Sequence, residues 1–146
     1  MRGICLLLLS SLGALQAQAQ ALLYEAGSLQ VSQARSLPTP PVAAVGAVYL
    51  SIANRGAKAD SLLAVSSPIA ASAEIHRSTT VQGVMQMRRV AALECPPGVT
   101  NIEPGGVHIM LLGLTQPLVA GATFPLSLKF RDAGLLVIQV RVKAPE

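Results

Sequence analysis

Both histidines of this chain and three of its four methionines fall between His76 and Met110, and the fourth methionine is the initiator. In order they are His76, Met85, Met87, His108 and Met110. Imidazole nitrogen and thioether sulfur suit a soft ion of low charge, and thioether in particular selects Cu(I) over Zn(II), Mg(II) or Ca(II). Thioethers carry no proton to lose, and histidine needs only its neutral form. Such a set can hold copper in an oxidising compartment, where thiolates are oxidised. Chemistry of this kind is ligand exchange, in which no substrate bond breaks and no enzyme is required.

Spacing decides whether these donors can meet. His108 and Met110 are separated by one residue on an expected strand, so both leave one face and Ile109 leaves the other. His76 and Met87 flank the segment Thr79-Thr80-Val81-Gln82-Gly83, a polar, glycine-bearing stretch of the sort that closes a hairpin. Such a hairpin is expected to set His76 opposite Met87. Met85 shares the Met87 face nearer the turn and is the weaker candidate. Glu74, on the His76 face, and Glu103 could orient a ligating imidazole, although solvated carboxylates are the plainer expectation. Gly105 and Gly106 are expected to form the turn that delivers His108; Arg88 and Arg89 could help contact an acidic recipient surface, although ordinary strand-face charges are the plainer expectation.

The elements that must position these residues read as strands. The chain has 146 residues, 51% of them apolar, 12% charged and 3% aromatic, which fits one domain with an aliphatic core and argues against disorder. Strands are expected over 29–35, 42–54, 61–66, 73–78, 85–91, 108–112, 123–130 and 135–142. The clearest period of two sets Phe124, Leu126, Leu128 and Phe130 against Thr123, Ser127, Lys129 and Arg131. Leu136, Ile138, Val140 and Val142 repeat it beyond the turn Asp132-Ala133-Gly134. Many short strands with turn signals between them imply an all-β sandwich or barrel. The net charge is +4, but its Lys and Arg are scattered without interleaved aromatics, so nucleic acid is not an expected partner.

Residues 1–21 read as a secretory signal peptide: Arg2, an apolar run from Ile4 to Leu15, and a small-x-small cleavage site at Ala17-Gln18-Ala19 or Ala19-Gln20-Ala21. That apolar run is shorter than the roughly 20 residues a membrane-spanning helix needs. The mature domain, 22–146, is therefore expected in the periplasm and not as an integral membrane protein. Cys5 leaves with the signal, so Cys95 has no cysteine to pair with and is expected as a small packed residue.

The pattern His76-x10-Met87-x20-His108-x-Met110, with Ala47-Val48-Tyr49-Leu50-Ser51-Ile52-Ala53-Asn54, Ala73-Glu74-Ile75-His76, Met85-Gln86-Met87-Arg88 and Pro104-Gly105-Gly106-Val107-His108-Ile109-Met110-Leu111 around it, closely resembles the PCu(A)C family of periplasmic copper chaperones. The resemblance runs from about Leu29 to Val142. It implies a cupredoxin-like Greek-key β-sandwich that binds Cu(I) through His76, Met87, His108 and Met110. It also implies a copper-accepting partner: cytochrome c oxidase subunit II, whose copper A centre is to be assembled, or another assembly chaperone. Competing readings are an exported binding module without metal, a copper storage or resistance protein, and a blue-copper carrier. The last requires a Cys thiolate with two His, and Cys95 has no His close behind it. A hydrolase would need a nucleophile and base or paired carboxylates, and the acidic residues between Asp60 and Asp132 show neither.

Overall fold

The computed structural model describes residues 22–145, so the expected signal peptide lies outside the described residues. Eleven strands form: β1 (Leu23–Ala26), β2 (Leu29–Ser36), β3 (Val45–Asn54), β4 (Asp60–Ser66), β5 (Ala70–Val81), β6 (Val84–Arg89), β7 (Leu93–Cys95), β8 (Gly98–Ile102), β9 (Val107–Leu114), β10 (Thr123–Phe130) and β11 (Gly134–Val142). Among the described residues there is no helix, and so none long and apolar enough to cross a membrane. The strands join in the order β6-β5-β9-β3-β2-β11-β10-β4-β7, with β1 added beside β2 and β8 beside β3. Most pairs are antiparallel, and β2 and β11 run parallel. The sheet folds over so that β4 packs against β5, and the two layers enclose one core.

Alternation explains which side of each strand faces inward. Phe124, Leu126, Leu128 and Phe130 are all buried, as are Ile138, Val140 and Val142 from β11 and Val48, Leu50 and Ile52 from β3. Each such side chain contributes about 1.5–3 kcal/mol on full burial, so the face each strand turns inward is strongly enforced. Ile75 of β5 and Ile109 of β9 belong to this core and face each other in register. Their neighbours His76 and His108 must then point outward, also in register.

Three expectations need correction. The hairpin of β5 and β6 turns on Gln82 and Gly83 alone, with Val81 paired to Val84, where a loop from Thr79 to Gly83 was expected. Gln82 and Gly83 have φ of 50° and 77°, the positive angles a two-residue type I′ turn requires. Thr79, Thr80 and Val81 are β-branched residues that suit an extended chain, and they continue the strand. Second, the short strands β1 and β8 were not expected; β8 pairs with β3 from Leu50 to Asn54, beside the stretch of β3 that β9 covers. Third, the expected strand 42–54 begins at Val45.

Two polar residues lock the turns after β3 and β10. The buried Asn54 donates from Nδ2 to the carbonyls of Lys58 and Cys95 (2.9 Å each) and accepts from the Gly56 amide (2.9 Å). Asp60 accepts backbone N–H bonds from Ser61 (2.7 Å), Asp132 (3.0 Å) and Ala133 (3.0 Å), tying the β10–β11 turn to β4. Burial alone would raise the Asp60 pKa, but these three amides, with Arg131 nearby, outweigh it and hold the carboxyl below its usual value. A carboxyl depressed in the fold contributes stability above its unfolded pKa of about 3.9, and that contribution disappears as pH falls through the folded value. Asp60→Asn should therefore cost about 1–3 kcal/mol at pH 7 in urea unfolding, and the gap between variant and parent should shrink below about pH 4. Equal stability at pH 7 would contradict this.

Candidate metal centre

The centre sits on the outer face of β6, β5 and β9. The pairing of β5 with β9 places His76 directly across from His108 and Glu74 across from Met110. The pairing of β5 with β6 places Arg89 across from His76, Met87 across from Ser78 and Met85 across from Thr80. His76 is therefore not opposite Met87 as expected. The two-residue turn shifts the register by two, and Met87 becomes the diagonal neighbour of His76 on the same face. Diagonal neighbours on paired strands stand about 7–8 Å apart at Cα, within reach of a long side chain. Met110 is the diagonal neighbour of His76 on the other flank, so the two imidazoles lie between the two thioethers. His108 and Met110 share one face with Ile109 in the core, as expected.

The two rings have centroids 5.9 Å apart and planes tilted by 42°. A nitrogen about 2.0 Å from an ion puts its ring centre roughly 3.1 Å away, so two rings sharing one ion have centres about 5–6 Å apart for open bond angles. The observed separation fits that range. Hydrogen bonding then fixes which nitrogens are left over. His76 Nε2 donates to Glu74 Oε2 at 2.8 Å, so in the neutral ring the proton sits on Nε2 and Nδ1 carries the lone pair. His108 Nδ1 lies 3.5 Å from the Gly106 carbonyl, a long contact that turns Nε2 the other way. His76 Nδ1 and His108 Nε2 are buried without a hydrogen-bond partner, and among the described residues no other side-chain nitrogen or oxygen is in that condition. An unpaired buried acceptor costs about 1–3 kcal/mol, a cost that a shared electrophile would offset at both atoms at once.

The donors differ in how firmly they are held. His108 is only 5% exposed. Gly105, with φ of 84°, turns the chain before it, and the Gly106 carbonyl accepts the Ser78 amide at 3.0 Å, tying that turn to the hairpin. Met87 and Met85 are 54% and 67% exposed. The hairpin beyond Arg77 has left β9 behind and projects as a two-stranded arm. Glu74 corrects the plainer expectation of a solvated carboxylate: it grips His76 and also lies 3.8 Å from Arg89 Nη1. Glu103 is exposed and bonds neither ring.

Cys95 is fully buried in the core, on β7 beside Asp60 and away from the imidazoles. Burial raises its thiol pKa to about 11, so it stays protonated and is no thiolate ligand. Among the described residues no three His, Cys, Asp or Glu side chains gather as a metal site; the register sets Met87 and Met110 on the face of the two imidazoles.

This architecture is an all-β, cupredoxin-like β-sandwich. Residues 29–142 match the family described as "Putative lipoprotein LpqE-like". The chain is 32% identical over 133 residues to "Putative lipoprotein Lxx21020" of Leifsonia xyli subsp. xyli, covering 88% of this chain and 78% of that protein. Among solved structures it resembles the apo PCuAC domain of PmoF1, with a TM-score of 0.74 and 27% identity, covering 85% of this chain and all of that one. It also resembles the solution structure of Cu(I)-DR1885 from Deinococcus radiodurans, with a TM-score of 0.64 and 30% identity, covering 89% of this chain and 85% of that one. The chain belongs to the LpqE-like family, that of the PCuAC domains.

Iodoacetamide should leave Cys95 unlabelled in the native protein at pH 8 and modify it fully in urea, read by mass spectrometry. Rapid native labelling would contradict a packed, protonated thiol.

Proposed function

We propose that this protein is an exported, periplasmic Cu(I) metallochaperone that holds one copper ion between His76 Nδ1, His108 Nε2 and the thioethers of Met87 and Met110. The observation that carries the reading is the pair of buried imidazole nitrogens left without partners on one face, with Met87 and Met110 at diagonal positions on the neighbouring strands. A relative of known structure is a Cu(I) form, and the similarity to a lipoprotein agrees with export.

Transfer follows from the unequal exposure of the donors. The histidines anchor the ion at the sheet, while Met87 on the projecting arm is open to solvent. An acceptor's sulfur or nitrogen can replace Met87 first, then the remaining donors in turn, so that copper is never released as a free ion. Glu74 keeps the proton of His76 on Nε2 and so keeps Nδ1 available. The acceptor in this proposal is a copper A site under assembly, in subunit II of cytochrome c oxidase or on another assembly chaperone.

Competition with a chromogenic Cu(I) chelator under reducing conditions tests the ligand set. Outer-sphere groups of a metal site already govern affinity by 10–100-fold, so His108→Ala and Met110→Ala should each weaken binding by at least about 10-fold. Met85→Ala should stay within about 3-fold of the parent, well below that range. Unchanged affinity in His108→Ala would point instead to a binding module without metal.

A further inference from the structure

The outer face continues past the donor cluster on both sides, and on the β2–β11 flank two arginines stand in register. Residues in register project to the same side of a sheet. Arg89, His76 and His108 are in register across β6, β5 and β9. The β3–β9 register, carried one residue past Val48 and Ile109, sets Tyr49 beside His108. Tyr49 pairs with Arg35 of β2, and Arg35 with Arg141 of β11. One row therefore crosses six strands as Arg89, His76, His108, Tyr49, Arg35 and Arg141. With strands about 4.8 Å apart it is roughly 24 Å long, the size of a protein footprint.

Two like charges in register repel, yet Arg35 and Arg141 stand side by side with no carboxylate between them. Among the described residues the ion pairs are Glu74 with His76 and Arg89, and Asp132 with Arg131. Glu74 stands beside the row and is already engaged, and the exposed Glu103, which the β3–β8 register carries toward Tyr49, lies on the side of Tyr49 away from Arg35 and forms no ion pair. Glu25, on the same side at the far end of β2, takes a hydrogen bond from Gln30. Arg35 is held in place, with its guanidinium 5.8 Å from the Tyr49 ring centre and bonded to the Gln33 carbonyl at 3.1 Å. Arginines often guard exposed sheet edges against aggregation. These two stand on interior strands, where no edge needs guarding.

We propose that this face docks an acidic protein domain, with Arg35 and Arg141 on one flank of the copper site and Arg89 on the other engaging its carboxylates. The proposal rests on the copper-chaperone reading and supplies the partner's chemistry: acidic groups ringing a soft-ligand site. Bidentate arginine–carboxylate pairs would orient the partner so that its own donors meet Met87. A protein surface fits the planar guanidinium groups of the row, which pair bidentately with carboxylates; the same side of β11 also exposes Leu135 and Val137 farther along, so a lipid surface is the alternative that the test distinguishes.

The test uses the full chain and two synthetic peptides with the same Met and His donors, one rich in Asp and Glu, the other with Asn and Gln in their place. Cu(I) transfer from the loaded protein to each peptide is timed at low and high salt. The acidic peptide should receive copper about 10-fold faster at low salt, as steering by complementary charge provides, and that advantage should vanish at high salt. Arg35→Glu/Arg141→Glu should abolish the advantage, and the neutral Arg35→Gln/Arg141→Gln should reduce it. Both should keep the parent's circular dichroism and chelator-measured Cu(I) affinity. Equal transfer to both peptides, or parental rates in the charge-reversed variant, would overturn the proposal. So would arginine-dependent sedimentation with phosphatidylglycerol vesicles alongside unchanged peptide transfer, which would assign the face to lipid. Failure of the copper reading would appear separately, as no copper uptake, and anisotropy of the labelled acidic peptide on the metal-free chain would still test the face.

Discussion

The pairing of β5 with β9 is the constraint on which the site depends. Ile75 and Ile109 are buried opposite each other in the core, and burial of such a pair contributes several kcal/mol. Because side chains alternate along a strand, slipping either strand by one residue would drive an imidazole into the core and an isoleucine into water. The hydrophobic core therefore sets the register, and the register sets His76 against His108. No metal is needed to bring the two rings together. The cost appears instead as two buried ring nitrogens without partners, atoms prepared for an electrophile before one arrives.

Beyond that fixed pair the structure loosens in steps. His108 is buried and His76 is steadied by Glu74, while Met87 rides on an arm that β9 no longer supports. Such a gradient suits cargo that must be held and then surrendered. Rigid imidazoles define where the ion sits, and a flexible thioether with three rotatable bonds can leave without disturbing the sheet. A site with all four donors buried would bind as well and release slowly. The turns around Asn54 and Asp60 have the opposite character: both residues spend every polar atom on backbone groups and hold those turns still.

Much of this was legible in the sequence because periodicity and donor chemistry are local. The alternation of Phe124 to Phe130 gave its strand and its buried face directly, and the single residue between His108 and Met110 gave their shared side. The pairing of His76 was harder. It depended on where the chain reverses, and Gln82 takes a positive φ that its residue type does not advertise. The polar look of Thr79 and Thr80 hid two good strand formers, and the expected register missed by two residues. Glu74 was legible only as one of two readings: its place on the His76 face followed from the spacing, but whether it grips the ring or faces solvent depends on side-chain geometry that spacing does not carry. The short strands β1 and β8 carry too few residues for a period to show, and they exist because β2 and β3 offer open edges.

Copper K-edge X-ray absorption of the reduced, loaded protein probes the convergence of these donors most directly. Two nitrogen and two sulfur scatterers around one Cu(I), with a sulfur lost in Met87→Ala and a nitrogen lost in His76→Ala, is the expected result. A shell of nitrogen and oxygen alone, or one unchanged by both substitutions, would show that the face does not hold copper in this way.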